Sequence, residues 1–552
     1  MNALVFLVVL AAPSGAAPDA CRPLLRACRE AGFSREGRSG GKGLVQDCVT
    51  PLLAGRTGAG LPGVERADVD ACNASMGELP DVPVAEAIPL TEPKLGPGEH
   101  PNVVFVLADD FSSDLLRFMP HVLDMQKNGA AFTNFFVTDS LCCPSRSSIF
   151  TGRFPHNTGV YTNQGRDGGF ATFMAKGNDR VSFAVALRNA AYAAGMMGKF
   201  LNGYEPAKDA PGVGWSEWDV IGNGYGGFDY DINRQGKAFR RGSAARDYAT
   251  DVLKGLGVDF IQANAGRPFF LEEATFAPHS PYTPAPRDAK AFPGLAAPRG
   301  PAYGAAPDAA APNFLKGLPA LTDEEMAEID GHYRLRAQSV LAIDAMIGDL
   351  QAALKAAGLE KKTYFVFASD NGYHMGEHRM HEGKMTAYDT DIRVPLVVTG
   401  PGIAPGTTVS EVAENIDLCP TFAELAGAQV PRTADGRSLV PLLLGKKAGT
   451  WRTAALIEHR GGVMARTDPD SPVGPMVVAP TYEALRTRDK LYVEYVDGER
   501  EFHDLKADPA ELKNTYAELS SVQKSALAAA LSALKGCHGA AACSAADHPA
   551  LW

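Results

Sequence analysis

The sequence predicts an α/β fold: a doubly wound, mainly parallel sheet with a smaller α+β lobe following it. Three observations carry this. Short, nearly uninterrupted apolar runs recur at Asn102–Ala108, Pro268–Leu271, Tyr364–Ala368 and Val394–Val398, as expected of strands buried on both faces. Helical patterns lie between them, at Val181–Ala194 and Asp323–Ala357. After about Gly436 the character shifts: Lys490–Asp497, a Gly-Glu-Arg turn and Glu501–Asp504 read as a β-hairpin, and a helix follows from about Ser520 to Lys535.

Composition narrows the class. The 552 residues are 45% hydrophobic and 21% charged, which excludes fibrous, coiled-coil and disordered proteins. Lys+Arg of 53 against Asp+Glu of 64 leaves a net charge of −11, which argues against salt-sensitive nucleic-acid binding. With 57 Gly and 39 Pro, many tight turns and long loops are expected.

From the N-terminus, Met1–Ala17 reads as a secretory signal peptide, an apolar run leading into small residues and too short to span a bilayer. A buried N-terminal strand is the alternative. No later run is long and apolar enough to span a membrane, so a soluble secreted or extracytoplasmic protein is expected, in a periplasm or a secretory or lysosomal compartment according to host. Residues 18–79 form a Cys-containing segment and 80–100 a Pro-, Glu- and Gly-punctuated linker. The main α/β domain is placed at 101–436 and the C-terminal subdomain at 437–545. In an oxidising compartment Cys21, Cys28, Cys48 and Cys72 could form two disulfides, with the pairing open, and Cys537 and Cys543 a third. Asn73-Ala-Ser75 is a glycosylation sequon.

The chemistry begins where two strands end. Asn102–Ala108 runs into Asp109-Asp110, and Tyr364–Ala368 into Ser369-Asp370-Asn371-Gly372. Open α/β sheets bind ligands beyond the carboxyl ends of their strands. Either dyad alone is ordinary strand-end and turn chemistry. Together they offer oxygen ligands, with no soft donor, to one hard cation, Ca²⁺ or Mg²⁺. A third element, Leu141-Cys142-Cys143-Pro144-Ser145-Arg146, continues to Thr151-Gly152-Arg153. Pro144 suits a first helical turn and Gly152 a helix end. Cys142 thus stands at a helix N-terminus, either as a low-pKa nucleophilic thiol or as half of a buried disulfide.

Cys-x-Pro-Ser-Arg followed by Thr-Gly-Arg resembles the signature of the type I sulfatases. The resemblance covers roughly Pro101 to Val522. Its other motifs fall in family order: Asp109-Asp110, Gly198-Lys199-Phe200, Ala277-Pro278-His279-Ser280-Pro281, Asp370-Asn371-Gly372, Glu382-Gly383-Lys384, and the late Asp497-Gly-Glu-Arg with Asp504-Leu-Lys-Ala-Asp508-Pro. Leu-Cys-Cys-Pro-Ser-Arg, Pro155-His156-Asn157 and Asp-Asn-Gly-Tyr-His look most like the glucosamine-6-sulfatase and endosulfatase branch.

The resemblance implies an alkaline-phosphatase-like fold and a sulfuric ester hydrolase. Cys142 would be oxidised to Cα-formylglycine by a formylglycine-generating enzyme and hydrated to a diol. Asp109, Asp110, Asp370 and Asn371, with Cys142, would hold the cation, calcium in preference to magnesium. One diol hydroxyl would attack sulfur, and the other would expel sulfate after deprotonation. Arg146, Lys199 and Lys384 would offset negative charge, and His279 would protonate the leaving alcohol. The substrate expected is a sulfated carbohydrate of 6-O-sulfated amino sugar type, as in glycosaminoglycans, or an aryl sulfate. A phosphoric ester hydrolase is the alternative, and a non-catalytic binding protein a third reading.

One departure stands out. Many arylsulfatases carry Gly-Lys-Trp-His, whereas this chain has Gly198-Lys199-Phe200-Leu201-Asn202. The base that releases sulfate is therefore open between His156, His374 and Asn202. His374, His378 and His381 could equally form a polar rim. Two motifs are set aside. Gly222-Asn-Gly-Tyr-Gly-Gly227 matches a dinucleotide fingerprint but precedes a strand-like stretch, so a turn is expected. His374-Met-Gly-Glu-His378 matches an inverted zinc-protease motif but lacks the required helix.

Overall fold

The computed structural model describes residues 22–31, 48, 52, 61–69, 82–96, 100–446, 449–461, 469–470, 477 and 479–551. Met1–Ala17, read as a signal peptide, Cys21, Cys72 and the sequon lie outside the described residues. Cys28 and Cys48 are disulfide-bonded, as are Cys537 and Cys543.

Ten strands form the main sheet: β1 (Asn102–Ala108), β2 (Ala130–Phe132), β3 (Ala193–Lys199), β4 (Glu217–Ile221), β5 (Asp231–Arg234), β6 (Lys237–Arg240), β7 (Phe269–Ala274), β8 (Thr363–Ser369), β9 (Leu396–Thr399) and β10 (Thr407–Val409). Their order is β10-β2-β9-β8-β1-β7-β3-β4-β5-β6. The five central strands, β8-β1-β7-β3-β4, are mutually parallel, while β9, β5 and β6 join antiparallel. The Val394–Val398 run is thus a strand of reversed direction.

β1 shows why an uninterrupted apolar run belongs here. Val103, Phe105 and Leu107 enter the core on one side of the sheet, and Val104, Val106 and Ala108 the core on the other. One core packs against α1 (Cys142–Thr151) and the helices Phe183–Asn189 and Leu418–Leu425. The other packs against Ala249–Ala263 and α2 (Asp323–Ala356). The N-terminus of α2 is closed by a capping box: Thr322 Oγ accepts from Glu325 N at 3.2 Å, and Glu325 accepts from Thr322 N at 2.7 Å.

The helical expectation over Val181–Ala194 holds only for Phe183–Asn189, because β3 starts at Ala193. That strand, Ala-Ala-Gly-Met-Met-Gly-Lys, has low intrinsic β-propensity and is selected by burial. A Cβ on Gly195 would come within 2.9 Å of the Phe260 ring, and one on Gly198, at φ +93°, within 1.9 Å of the Ala274 carbonyl.

The C-terminal lobe is an antiparallel meander, β11 (Ala454–His459), β12 (Tyr482–Thr487), β13 (Lys490–Tyr495) and β14 (Arg500–Asp504), backed by α3 (Ser521–Lys535). The predicted hairpin is β13–β14. Residues 82–96 contain neither helix nor strand. Ala85, Ile88 and Lys94 donate their amides to the carbonyls of Lys176, Arg180 and Asn189, which ties this stretch along the main domain. Among the described residues, no helix is long and apolar enough to cross a membrane.

Candidate active site

Four neighbouring parallel strands, β8, β1, β7 and β3, end level with one another. Ala108 pairs with Ser369, Leu107 with Ala274, and Ala274 with Gly198. Their next residues therefore converge: Asp109-Asp110 after β1, Asp370-Asn371 after β8, His279 five residues past β7, and Lys199 as the last residue of β3. The loops beyond β1 and β8 are laced together, since Asp110 N donates to Asp370 Oδ1 at 3.2 Å and Phe111 N to Asn371 O at 3.1 Å. Asp110 takes a left-handed backbone, φ 59°, to turn into this position.

Cys142 is the first residue of α1. Leu141 caps the helix from an extended conformation, and Ser145 N closes the first turn onto Leu141 O at 3.1 Å. The far end stops at Gly152, φ 70°, whose amide returns to Ser148 O. The sulfur of Cys142 is buried, 3.2 Å from Asp109 Oδ1, 3.9 Å from Asp110 Oδ1 and 2.9 Å from Lys384 Nζ. Burial first, then the Asp109 and Asp470 charges, push its thiol pKa well above the ordinary value. The expectation of a low-pKa thiol at a helix N-terminus is thus reversed, because desolvation and adjacent carboxylates outweigh the helix dipole. Cys142 and Cys143 are both free, so the disulfide alternative falls too.

Three cations surround this sulfur. Arg146, one turn along α1, is fully buried. It donates from Nε to Asp370 Oδ2 at 2.7 Å and from Nη1 to Lys199 O at 2.8 Å, while Nη2 lies 3.9 Å from Asp109. Lys199 Nζ is 2.5 Å from Asp109 Oδ2. Lys384 Nζ is 2.6 Å from Asp110 Oδ1, and its loop is set by the short ladder pairing His374-Met375 with Glu382-Gly383. Burial opposes charge on both lysines, but the Asp109 and Asp110 carboxylates beside them more than compensate and raise both pKa values. Arg146 and Lys199 in turn overcome burial to hold Asp370 below the usual carboxylate range. His279 completes the ring: Nδ1 meets Ser280 O at 2.7 Å, and Nε2 lies 3.5 Å from Asp110 Oδ2. Burial works against its protonation, but Asp110 and Asp470 reverse the balance and raise its pKa.

The carboxylate oxygens of this cluster suit a metal ion. Ligand atoms of Asp109, Asp110, Cys142 and His279 all lie within 4.8 Å of one another. Asp110 Oδ2 and Asn371 Oδ1 are buried without a hydrogen bond, as oxygens reserved for a metal would be. Both Asp370 oxygens carry hydrogen bonds, one from Asp110 N and one from Arg146.

The three base candidates separate. His156 is turned to the C-terminal lobe, with Nδ1 at 2.8 Å from Glu458 Oε2 and Nε2 at 2.8 Å from Cys537 O. His374 Nδ1 lies 3.0 Å from both oxygens of Asp391. Asn202 donates to the Tyr225 hydroxyl at 3.2 Å, and the Tyr225 ring stands 4.9 Å from Lys199 Nζ and 4.5 Å from the His279 ring. Of the remaining histidines, His378 stacks on Tyr388, with burial lowering its pKa to about 4, and His381 pairs with Glu325. Neither rejected motif survives: Gly222–Gly227 is a turn with no helix after it, and His374-Met375 is extended.

Sequence reading missed three residues here. Tyr225 sits in the discarded glycine-rich turn. Asn163 accepts from Cys143 N at 3.0 Å. Asp470 arrives from beyond β11, with Oδ1 at 2.6 Å from His279 Nε2 and 2.8 Å from Lys384 Nζ. A Thr-Asp-Pro-Asp stretch carries no signal that would place it there.

A family model described as Sulfatase matches residues 101–428, and one described as N-sulphoglucosamine sulphohydrolase, C-terminal, matches 376–535. Human N-acetylglucosamine-6-sulfatase is 34% identical over 447 residues, covering 75% of this chain and 81% of the relative. The arylsulfatase of Volvox carteri is 31% identical, covering 80% and 75%. N-acetylglucosamine-6-O-sulfatase of Bacteroides thetaiotaomicron is 27% identical, covering 77% and 84%. A protein solved with its substrate D-glucosamine-2-N,6-O-disulfate shares the fold at a TM-score of 0.66 and 24% identity, covering 79% of this chain and 97% of that one. A phosphonate monoester hydrolase from Silicibacter pomeroyi shares it at 0.57 and 23% identity, covering 78% and 93%.

Proposed function

The chain belongs to the sulfatase family and is a sulfuric ester hydrolase, and we propose that its substrate is a 6-O-sulfated amino sugar within a glycosaminoglycan-type carbohydrate. The observation that carries the site assignment is the convergence of Lys199, Lys384, Arg146 and His279 on Cys142, beside the carboxylates that follow β1 and β8. The substrate follows from the relatives named N-acetylglucosamine-6-sulfatase and from the Leu-Cys-Cys-Pro-Ser-Arg and Asp-Asn-Gly-Tyr-His motifs.

Calcium held by Asp109, Asp110, Asp370 and Asn371 would polarise a sulfate oxygen, and Cys142 matured to formylglycine by a formylglycine-generating enzyme would supply an oxygen nucleophile. Lys199 and Lys384 place two buried ammonium groups against the reacting centre, where low polarity makes each a strong partner for sulfate oxygens. Arg146 holds Asp370 in register and presents Nη2 toward Asp109. His279, whose pKa Asp110 and Asp470 raise against burial, would give the Nε2 proton to the departing sugar oxygen. Its ring is steadied by the Nδ1 contact to Ser280 O. The boundaries 101–436 for the catalytic domain and 437–545 for the C-terminal subdomain belong to this reading. So does export from the cytoplasm, supported by two disulfides and by relatives named extracellular sulfatases.

The test is release of inorganic sulfate by matured protein offered N-acetylglucosamine 6-sulfate, an aryl sulfate and a phosphate monoester. Turnover highest on the sugar sulfate is expected. Preference for the phosphate ester would overturn the sulfatase assignment, and preference for the aryl ester the sugar assignment.

A further inference from the structure

We propose that Asp470 is an internal competitor for the sulfate subsite and sets the enzyme's affinity for its substrate. The carboxylate is buried, its side chain only 3% exposed. Oδ1 accepts from His279 Nε2 at 2.6 Å and from Lys384 Nζ at 2.8 Å. Oδ2 accepts from Asn163 Nδ2 at 2.5 Å and lies 3.6 Å from Cys142 Sγ. The main α/β domain supplies all three donors and the nucleophile position, while the carboxylate comes from beyond β11.

An anion whose oxygens bond the leaving-group acid and a charge-stabilising lysine, beside the reacting side chain, stands where a sulfate ester must stand. Carboxylate and sulfate are both compact anions that take charge-assisted hydrogen bonds, so these donors serve either equally well. They cannot serve both at once. Substrate therefore binds only the fraction of molecules whose carboxylate has withdrawn, and the apparent dissociation constant rises by the reciprocal of that fraction. A neutral or shorter residue at 470 removes the competitor while leaving Lys384, His279 and Asn163 in place.

The inference rests on the sulfatase reading only in taking Lys384 and His279 as sulfate-binding groups, so the test is binding rather than turnover. Inorganic sulfate is titrated calorimetrically into full-length protein with an unconverted Cys142, in calcium, for wild type, Asp470→Asn and Asp470→Ala, with Lys384→Ala as the depleted control. Both Asp470 variants should bind sulfate at least about tenfold more tightly than wild type, and Lys384→Ala more weakly. In matured enzyme the KM for the sulfate ester should fall by a similar factor. Asp470→Asn keeps the side-chain shape should Asp470→Ala fold poorly. Equal or weaker sulfate binding in Asp470→Asn overturns the proposal. A kcat loss of about a hundredfold at unchanged KM overturns it too, because Asp470 would then act in the reaction itself. Tighter sulfate binding in a protein that turns over no sulfate ester would uphold the competitor and refute the sulfatase reading instead.

Discussion

The two ends of α1 both lie among buried charges, yet they are built differently. At the N-terminal end the cations converge on a sulfur: Lys384 Nζ is 2.9 Å from Cys142 Sγ, and Asp110 Oδ2 and the Asn371 amide oxygen stay without hydrogen bonds. Beyond the C-terminal end the donors converge on carboxylates and carbonyls. Phe154 N and Asn157 Nδ2 both reach Asp435 Oδ2 at 2.8 Å, Gly539 N reaches Asp435 Oδ1 at 2.7 Å, and His156 spans Glu458 and Cys537 O. Nearby, Arg452 forks onto Glu414 and Asp417 at 2.7–2.9 Å. Buried charge alone therefore does not mark a reactive centre. What marks it is cations gathered on a nucleophile position together with acceptors left open for a ligand.

The comparison predicts activity losses at one end and stability losses at the other. Lys384→Ala should lower kcat by about a hundred- to a thousandfold through lost charge stabilisation. With calcium present to offset the freed Asp110 charge, its melting temperature should stay within a few degrees of wild type; a collapse in stability with normal turnover per folded molecule would erase the distinction. Arg452→Ala should do the reverse. Stranding Glu414 and Asp417 in the interior should cost about 3–5 kcal/mol by denaturant unfolding, with turnover of the folded fraction kept within a few-fold.

A smaller effect follows at His156. Burial disfavours its charge, but Glu458 overrides it and raises the pKa from 6.5 to about 9. A raised histidine pKa gives stability that is fully present below pH 6.5 and lost as pH rises through 9. His156→Gln should thus melt below wild type at pH 6 and converge with it by pH 10; a constant offset at all pH would assign the loss to packing. The opposite sign is expected at Glu272 on β7, whose carboxylate oxygens have no hydrogen bond and whose pKa burial raises from 4.5 to about 8 despite Arg146. Because the folded state holds this proton longer than the unfolded chain, stability falls as pH climbs from 4.5 to 8. Glu272→Gln should remove that decline, matching wild type near pH 4 and exceeding it at pH 8.5 in thermal melts.

The sequence made the strand ends legible because chemistry and local structure coincide there. The β1 and β8 runs are β-rich and end in oxygen-bearing side chains, and Pro144 and Gly152 bracket α1 as helix chemistry requires. β3 is hidden, since its alanines and glycines have little strand propensity of their own, Gly195 lying against the Phe260 ring and Gly198 beside Ala274 of β7. The direction of β9 is a property of sheet order, which no local pattern encodes. The acidity of Cys142 was misread because a helix N-terminus is visible in sequence whereas complete burial beside two carboxylates is not. Tyr225 reaches the site from a glycine-rich turn whose pattern points to other chemistry, and Asp470 from a loop far along the chain that carries no motif.

On the proposed mechanism, Cys142 is the reacting position only after conversion. Peptide mass spectrometry across Asn128–Arg146, on active protein from its native host and with hydrazide trapping, tests this directly. The expected result is the thiol-to-aldehyde mass change at Cys142, in a fraction of molecules that tracks sulfatase activity between preparations. Full activity from protein whose Cys142 thiol is intact would contradict it.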